Sequence, residues 1–66
     1  MKIEVNGKTE ERADGMTVRV LLEEHGLAAS PCAVEVNRSL VSHRQHESHT
    51  LRDGDVVEIV TLVGGG

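Results

Sequence analysis

Near its C-terminal end the chain runs Asp55-Val56-Val57-Glu58-Ile59-Val60-Thr61, entered through the turn signal Asp53-Gly54. β-Branched residues dominate this stretch, which makes it the strongest strand candidate in the sequence. Side chains alternate across a strand, so Val57 and Ile59 share one face while Val56, Glu58 and Val60 share the other. A strand that is apolar on both faces is central in its sheet, or carries a patch that another surface covers. Either way, at least one face of this strand needs a cover.

One helix is available as that cover. Asp14-Gly15 breaks the preceding pattern, Thr17 is placed as an N-cap, and Val18-Arg19-Val20-Leu21-Leu22-Glu23-Glu24-His25 follows, with Gly26 positioned to stop the helix in a left-handed C′ conformation. Residues three and four apart share a helical face, which groups Val18, Leu21 and Leu22 with His25 at the end, over roughly two turns. Val57 and Ile59 are expected to face it.

The neighbouring strands are shorter. Ile3 and Val5 alternate with Lys2 and Glu4, and Asn6-Gly7 is the dipeptide favoured in a type I′ hairpin turn, so Lys8 to Arg12 returns as a second strand. Its polarity places it at the sheet edge, where charge discourages pairing with other chains. After Ser30-Pro31, the residues Cys32, Val34 and Val36 alternate with Ala33 and Glu35 as a third strand closing on Asn37-Arg38, and Leu40-Val41 reads as a short fourth. The polar run from Ser42 to His49 reads as a surface loop with a single helical turn, anchored beyond its end by Leu51. The order strand, strand, helix, strand, short strand, strand is satisfied by a mixed sheet with the helix across one face and the terminal strands adjacent and parallel. That is an α+β fold of the β-grasp, or ubiquitin-like, kind.

Composition narrows the function. Sixty-six residues allow one domain, and a chain of this size buries only about 60% of the surface its unfolded form exposes, leaving little room for an enclosed active site. Without Phe, Trp or Tyr, the core must be built from aliphatic side chains and Met. Eleven acidic residues against seven basic ones give a formal charge of −4, which disfavours a nucleic-acid partner and favours a basic protein surface. The single Cys32 has no internal disulfide partner, and no apolar run approaches the roughly 18 residues of a membrane span. The opening residues follow a strand pattern rather than that of a signal peptide, so a cytoplasmic protein with no membrane association is expected.

The remaining feature is Gly64-Gly65-Gly66. Read as a flexible functional tail (residues 62–66) on a β-grasp domain (residues 1–61), these glycines would thread a channel too narrow for side chains. Gly64 and Gly65 would deliver the Gly66 carboxylate as the working group. The plainer readings are terminal disorder and an engineered linker remnant. On the strand leading into the tail, Val56, Glu58, Val60, Leu62 and Val63 form a candidate partner-docking surface. Cys32 as a persulfide carrier competes with Cys32 as a small core hydrophobe, and the latter fits its alternation with valines. His43, His46 and His49 lack the Cys or carboxylate spacing of a metal site, and Asp53 with Asp55 reads as turn chemistry. No bound cofactor, metal or catalytic residue is expected.

The whole chain resembles the ThiS family, small β-grasp sulfur carriers of thiamine biosynthesis that end in Gly-Gly. The likeness rests on Ile3-Glu4-Val5-Asn6-Gly7, Thr17-Val18 with Leu21-Leu22, Ala33-Val34-Glu35-Val36-Asn37, Leu51-Arg52-Asp53-Gly54-Asp55, and Val57 through Gly66 in that order and spacing. The resemblance implies a protein co-substrate rather than an enzyme. A ThiF-like adenylating enzyme would use ATP to activate the Gly66 carboxylate, sulfur originating from a cysteine desulfurase would convert it to a thiocarboxylate, and a ThiG-like thiazole synthase would consume it. A MoaD-like carrier for molybdopterin or another metabolite, and a ubiquitin-like protein modifier, remain as alternatives.

Overall fold

The computed structural model describes residues 1–62. Five strands form one mixed sheet in the order β2-β1-β5-β3-β4: β1 is Lys2–Val5, β2 Lys8–Glu11, β3 Cys32–Val36, β4 Ser39–Val41 and β5 Val56–Thr61. The last strand is central, one of the two outcomes its apolar faces allow. It runs parallel to β1, with Glu4 opposite Val56 and Val5 opposite Val57, and antiparallel to β3 from Val36–Val57 to Cys32–Thr61. Polar β2 is an edge strand, and the architecture is the β-grasp arrangement.

The one α-helix among the described residues, α1 (Val18–Glu24), is only seven residues long, too short to persist alone in water. Its first turn is held from outside. The Thr17 side chain accepts from the Val20 N–H, and the main-chain carbonyls of His49 and His46 accept from Val18 and Arg19 at 3.0 and 2.8 Å. At the other end Gly26, with φ +72°, allows a Schellman closure in which Gly26 N–H donates to Glu23 and Leu27 N–H to Leu22. Leu27 then folds back against the core.

That core lies between α1 and one sheet face. Val18, Leu21 and Leu22 meet Ile3 and Val5 from β1, Val34 and Val36 from β3, Val41 from β4, and Val57 and Ile59 from β5, with Met16 and Leu51 closing the ends. Leu21 is fully enclosed. A domain of this size holds about 3–10 kcal/mol at roughly 0.05–0.15 kcal/mol per residue, so one Leu-to-Ala truncation costing about 2–5 kcal/mol removes much of the total.

Two sequence expectations change. His25 does not join the apolar face: as the C-cap residue it is turned outward, and its Nε2 lies 3.0–3.1 Å from the Glu10 carboxylate oxygens on β2. The run from Ser42 to His49 contains the expected helical turn, a 3₁₀ turn at His43–Gln45, but is not wholly a solvated loop. His46 is only 4% exposed, its Nε2 lies 3.2 Å from the Val41 carbonyl, and its own carbonyl caps α1. The polarity of the run conceals a residue that plugs the core from the side.

Candidate functional site

The face of the sheet opposite α1 is uncovered. On β5 it presents Val56, Glu58 and Val60, and Leu62 continues beyond the strand; Val56, Val60 and Leu62 are 40%, 58% and 53% exposed. Their partners across the sheet share that face. Ala33 lies opposite Val60, Glu35 opposite Glu58, Leu40 opposite Glu35, and Glu4 opposite Val56. Leu40, at 70%, is the most exposed large hydrophobic side chain among the described residues. A stripe of aliphatic groups therefore crosses a surface studded with carboxylates.

The charges on this face are arranged against the stability of the isolated domain. Glu35 and Glu58 stand directly opposite one another on adjacent strands, a like-charge pairing that is unfavourable in a sheet. Among the described residues neither they nor Glu4 forms an ion pair. Between β2 and α1, by contrast, acids are paired in the Glu10, Arg12 and Glu24 cluster, with Arg12 nitrogens 2.8 Å from Glu10 and 3.3 Å from Glu24. Unpaired carboxylates set among exposed Leu40, Val56, Val60 and Leu62 suit the sheet face to a cationic surface with apolar contacts.

β5 is fixed by side chains that imitate main chain. Asn6, at φ +50° in the turn after β1, accepts from the Ile59 N–H through Oδ1 at 2.8 Å and donates to the Ile59 carbonyl through Nδ2 at 3.2 Å. Asn37, at φ +52° in the turn after β3, accepts from the Val56 N–H at 2.9 Å while its own N–H donates to the Val56 carbonyl at 2.7 Å. Asp53 and Asp55 also serve turns: Asp53 Oδ1 accepts from Lys2 N–H, and Asp55 accepts from Arg52 N–H and the Asn37 amide. These contacts hold the strand that leads to the tail in one register.

The other candidates are not assembled into a reactive site. Cys32 packs partly against the core and opens onto a cleft of about 240 Å³ between α1 and the histidine-containing turn, lined also by Arg19, His43 and Arg44. Among the described residues, no three His, Cys, Asp or Glu side chains are placed to share a metal ion. No helix among those residues is long and apolar enough to cross a membrane. Val63 of the candidate docking surface, and Gly64, Gly65 and Gly66, lie outside the described residues. Sequence reasoning missed Glu4, Ala33, Glu35 and Leu40 as members of the exposed face. Strand alternation carried the signal for Ala33 and Glu35, but only the cross-strand register brings all four together.

Residues 3–66 match the model of the ThiS family. The chain belongs to that family. ThiS-type relatives include the sulfur carrier protein ThiS of Escherichia coli K12, 30% identical over 66 residues and covered end to end by this chain. The thiazole synthase of Paramagnetospirillum magneticum is 38% identical over 66 residues, which are all of this chain but 20% of that protein. The chain thus spans about a fifth of the length of the thiazole synthases it matches. The crystal structure of the thiamine biosynthesis protein ThiS from Geobacter metallireducens superposes with a TM-score of 0.84 at 32% identity, covering both chains completely. The ThiS family match and this superposition agree on a β-grasp fold.

Proposed function

We propose that this chain is a sulfur carrier for thiazole formation in thiamine biosynthesis, acting in the cytoplasm as a protein co-substrate. The observation that carries the reading is the continuity of the chain at β5: the strand holds exposed Val56, Glu58 and Val60, Leu62 extends that surface just beyond it, and the sequence runs on into Gly64-Gly65-Gly66. Docking by the face and delivery by the glycines would then be two parts of one element. Family membership and the similarity to ThiS sulfur carriers and to thiazole synthases support the same reading.

The chemistry assigns the work to Gly66. A free α-carboxylate is an anion at neutral pH and a poor electrophile, so attack by sulfur requires its oxygen to become part of a leaving group. A ThiF-like enzyme would transfer AMP from ATP to that carboxylate and release pyrophosphate. The terminal sulfur of a persulfide supplied through a cysteine desulfurase would attack the acyl carbon and expel AMP. A thiol would then reduce the resulting acyl disulfide, leaving as a disulfide with the persulfide's inner sulfur and freeing a thiocarboxylate for a ThiG-like synthase. Glycines at 64 and 65 would admit the chain to a narrow cleft because they carry no Cβ. The acidic sheet face would steer the domain toward a basic surface, an effect on encounter rate and specificity more than on final affinity.

The test is intact mass after incubation with the ThiF-like enzyme, ATP and a sulfur source. The expected product gains the mass difference of one oxygen exchanged for one sulfur, and deletion of Gly66 abolishes both the gain and ATP–pyrophosphate exchange without changing the circular dichroism spectrum. Adenylation of the deletion variant at the normal rate would refute the assignment. Isopeptide attachment to lysine in place of thiocarboxylate formation would instead identify a protein modifier.

A further inference from the structure

Successive residues of a strand direct their main-chain groups to opposite sides, and β5 uses the two sides unequally. Its even-numbered residues bond toward β3, from the Val56 carbonyl, which accepts from Asn37, to the Leu62 N–H, which donates to the Pro31 carbonyl at 2.8 Å. Its odd-numbered residues point toward β1: the Asp55 carbonyl accepts from Glu4 and the Val57 carbonyl from Asn6. β1 then turns away, and the Asn6 side chain alone satisfies Ile59. Thr61 is next in that series. It is exposed, and because Leu62 N–H bonds to Pro31, Cys32 and Thr61 are a non-hydrogen-bonded pair of the β3–β5 ladder, so the Thr61 N–H and C=O face the side that β1 has left.

The central strand therefore outruns its neighbour by one position, leaving a donor and an acceptor at the edge beside exposed Val60 and Leu62. Resting on the carrier reading above, we propose that Thr61 is a strand-pairing site: an extended segment of the ThiF-like enzyme lies along this edge and exchanges main-chain hydrogen bonds with Thr61. Such pairing is indifferent to side-chain identity, whereas alternate side chains of the added strand confer specificity. Here those side chains would be apolar against Val60 and Leu62 and basic toward Glu58, matching the character of the exposed face. Pairing at Thr61 would align the following residues with the partner's cleft before chemistry begins. Val60 and Leu62 bond to the β3 side, so the added strand would leave the domain's own ladder intact.

Amide exchange by NMR tests the geometry directly. In the free protein the Thr61 amide should exchange faster than those of Val60 and Leu62, and saturating ThiF-like enzyme should slow it selectively. Thr61→Pro removes the outward donor but also fixes φ. A Thr61 backbone ester made by semisynthesis removes the donor without constraining φ, weakening only the Val60 carbonyl on the β3 side, which does not face the added strand; Thr61→Val leaves the edge intact. The Pro and ester variants should raise the Kd for the enzyme about 2- to 10-fold, as expected for one main-chain hydrogen bond, while Thr61→Val binds normally. Unchanged exchange in the complex, normal affinity of the ester variant, or slow Thr61 exchange in the free protein because two copies pair would each overturn the proposal. If the ester variant binds normally while deletion of Gly66 still abolishes adenylation, strand pairing fails and the carrier reading stands. Normal adenylation after the deletion would remove both.

Discussion

Replacing Asn6 by glycine removes two contacts at once while leaving the turn conformation accessible. Asn6 sits at φ +50°, where glycine is unstrained, and its side chain makes both hydrogen bonds to the main chain of buried Ile59. A net value of about 0.5–1.5 kcal/mol per hydrogen bond gives an expected loss of about 1–3 kcal/mol for Asn6→Gly. Asn6→Ala loses the same bonds and adds a left-handed backbone cost of about 1–2 kcal/mol, so it should be the less stable of the two. Asn6→Asp keeps an acceptor for the Ile59 N–H, lacks the amide donor for the Ile59 carbonyl, and should be closest to wild type. Urea denaturation resolves the series through its midpoint at constant m-value, and thermal melts should fall by about 4–8 °C per kcal/mol. An Asn6→Gly protein as stable as wild type would show that the two contacts contribute nothing, and equal stability of the Gly and Ala variants would remove the backbone argument.

His46→Ala should lower stability by about 1–3 kcal/mol, because it empties a buried position and loosens the turn whose carbonyls cap α1, whereas His43→Ala at an exposed position should change the melt little. Arg38, at φ +69° in the second position of its turn, is strained relative to glycine, so Arg38→Gly should raise stability by up to about 1 kcal/mol in the same assay. Glu58→Lys places opposite charges across from one another at Glu35 and should stabilise the free domain by about 0.2–1 kcal/mol. The same change should slow association with the activating enzyme several-fold at low ionic strength, a gap that stopped-flow measurements should see close as salt is added.

The sequence by itself determined the elements and their order. β-Branched alternation marked β5 as a strand with two apolar faces, Thr17 and Gly26 delimited the helix, and Asn6-Gly7 specified a hairpin. These signals are local: a cap, a turn and a side-chain period act within a few residues, so they can be read without knowing what packs where. The exposed parity of Val56, Glu58 and Val60 followed from the same alternation. Tertiary structure decided what depends on register and on residues distant in sequence. It placed Glu35 opposite Glu58, added Leu40 to the exposed face, turned His25 toward Glu10, buried His46, and set the Asn6 amide against Ile59. A polar side chain has no periodic signature of burial, because its place is set by whichever main-chain groups the fold leaves unpaired nearby. For His46 and Asn6 those groups belong to Val41 and Ile59, and only the folded sheet presents them.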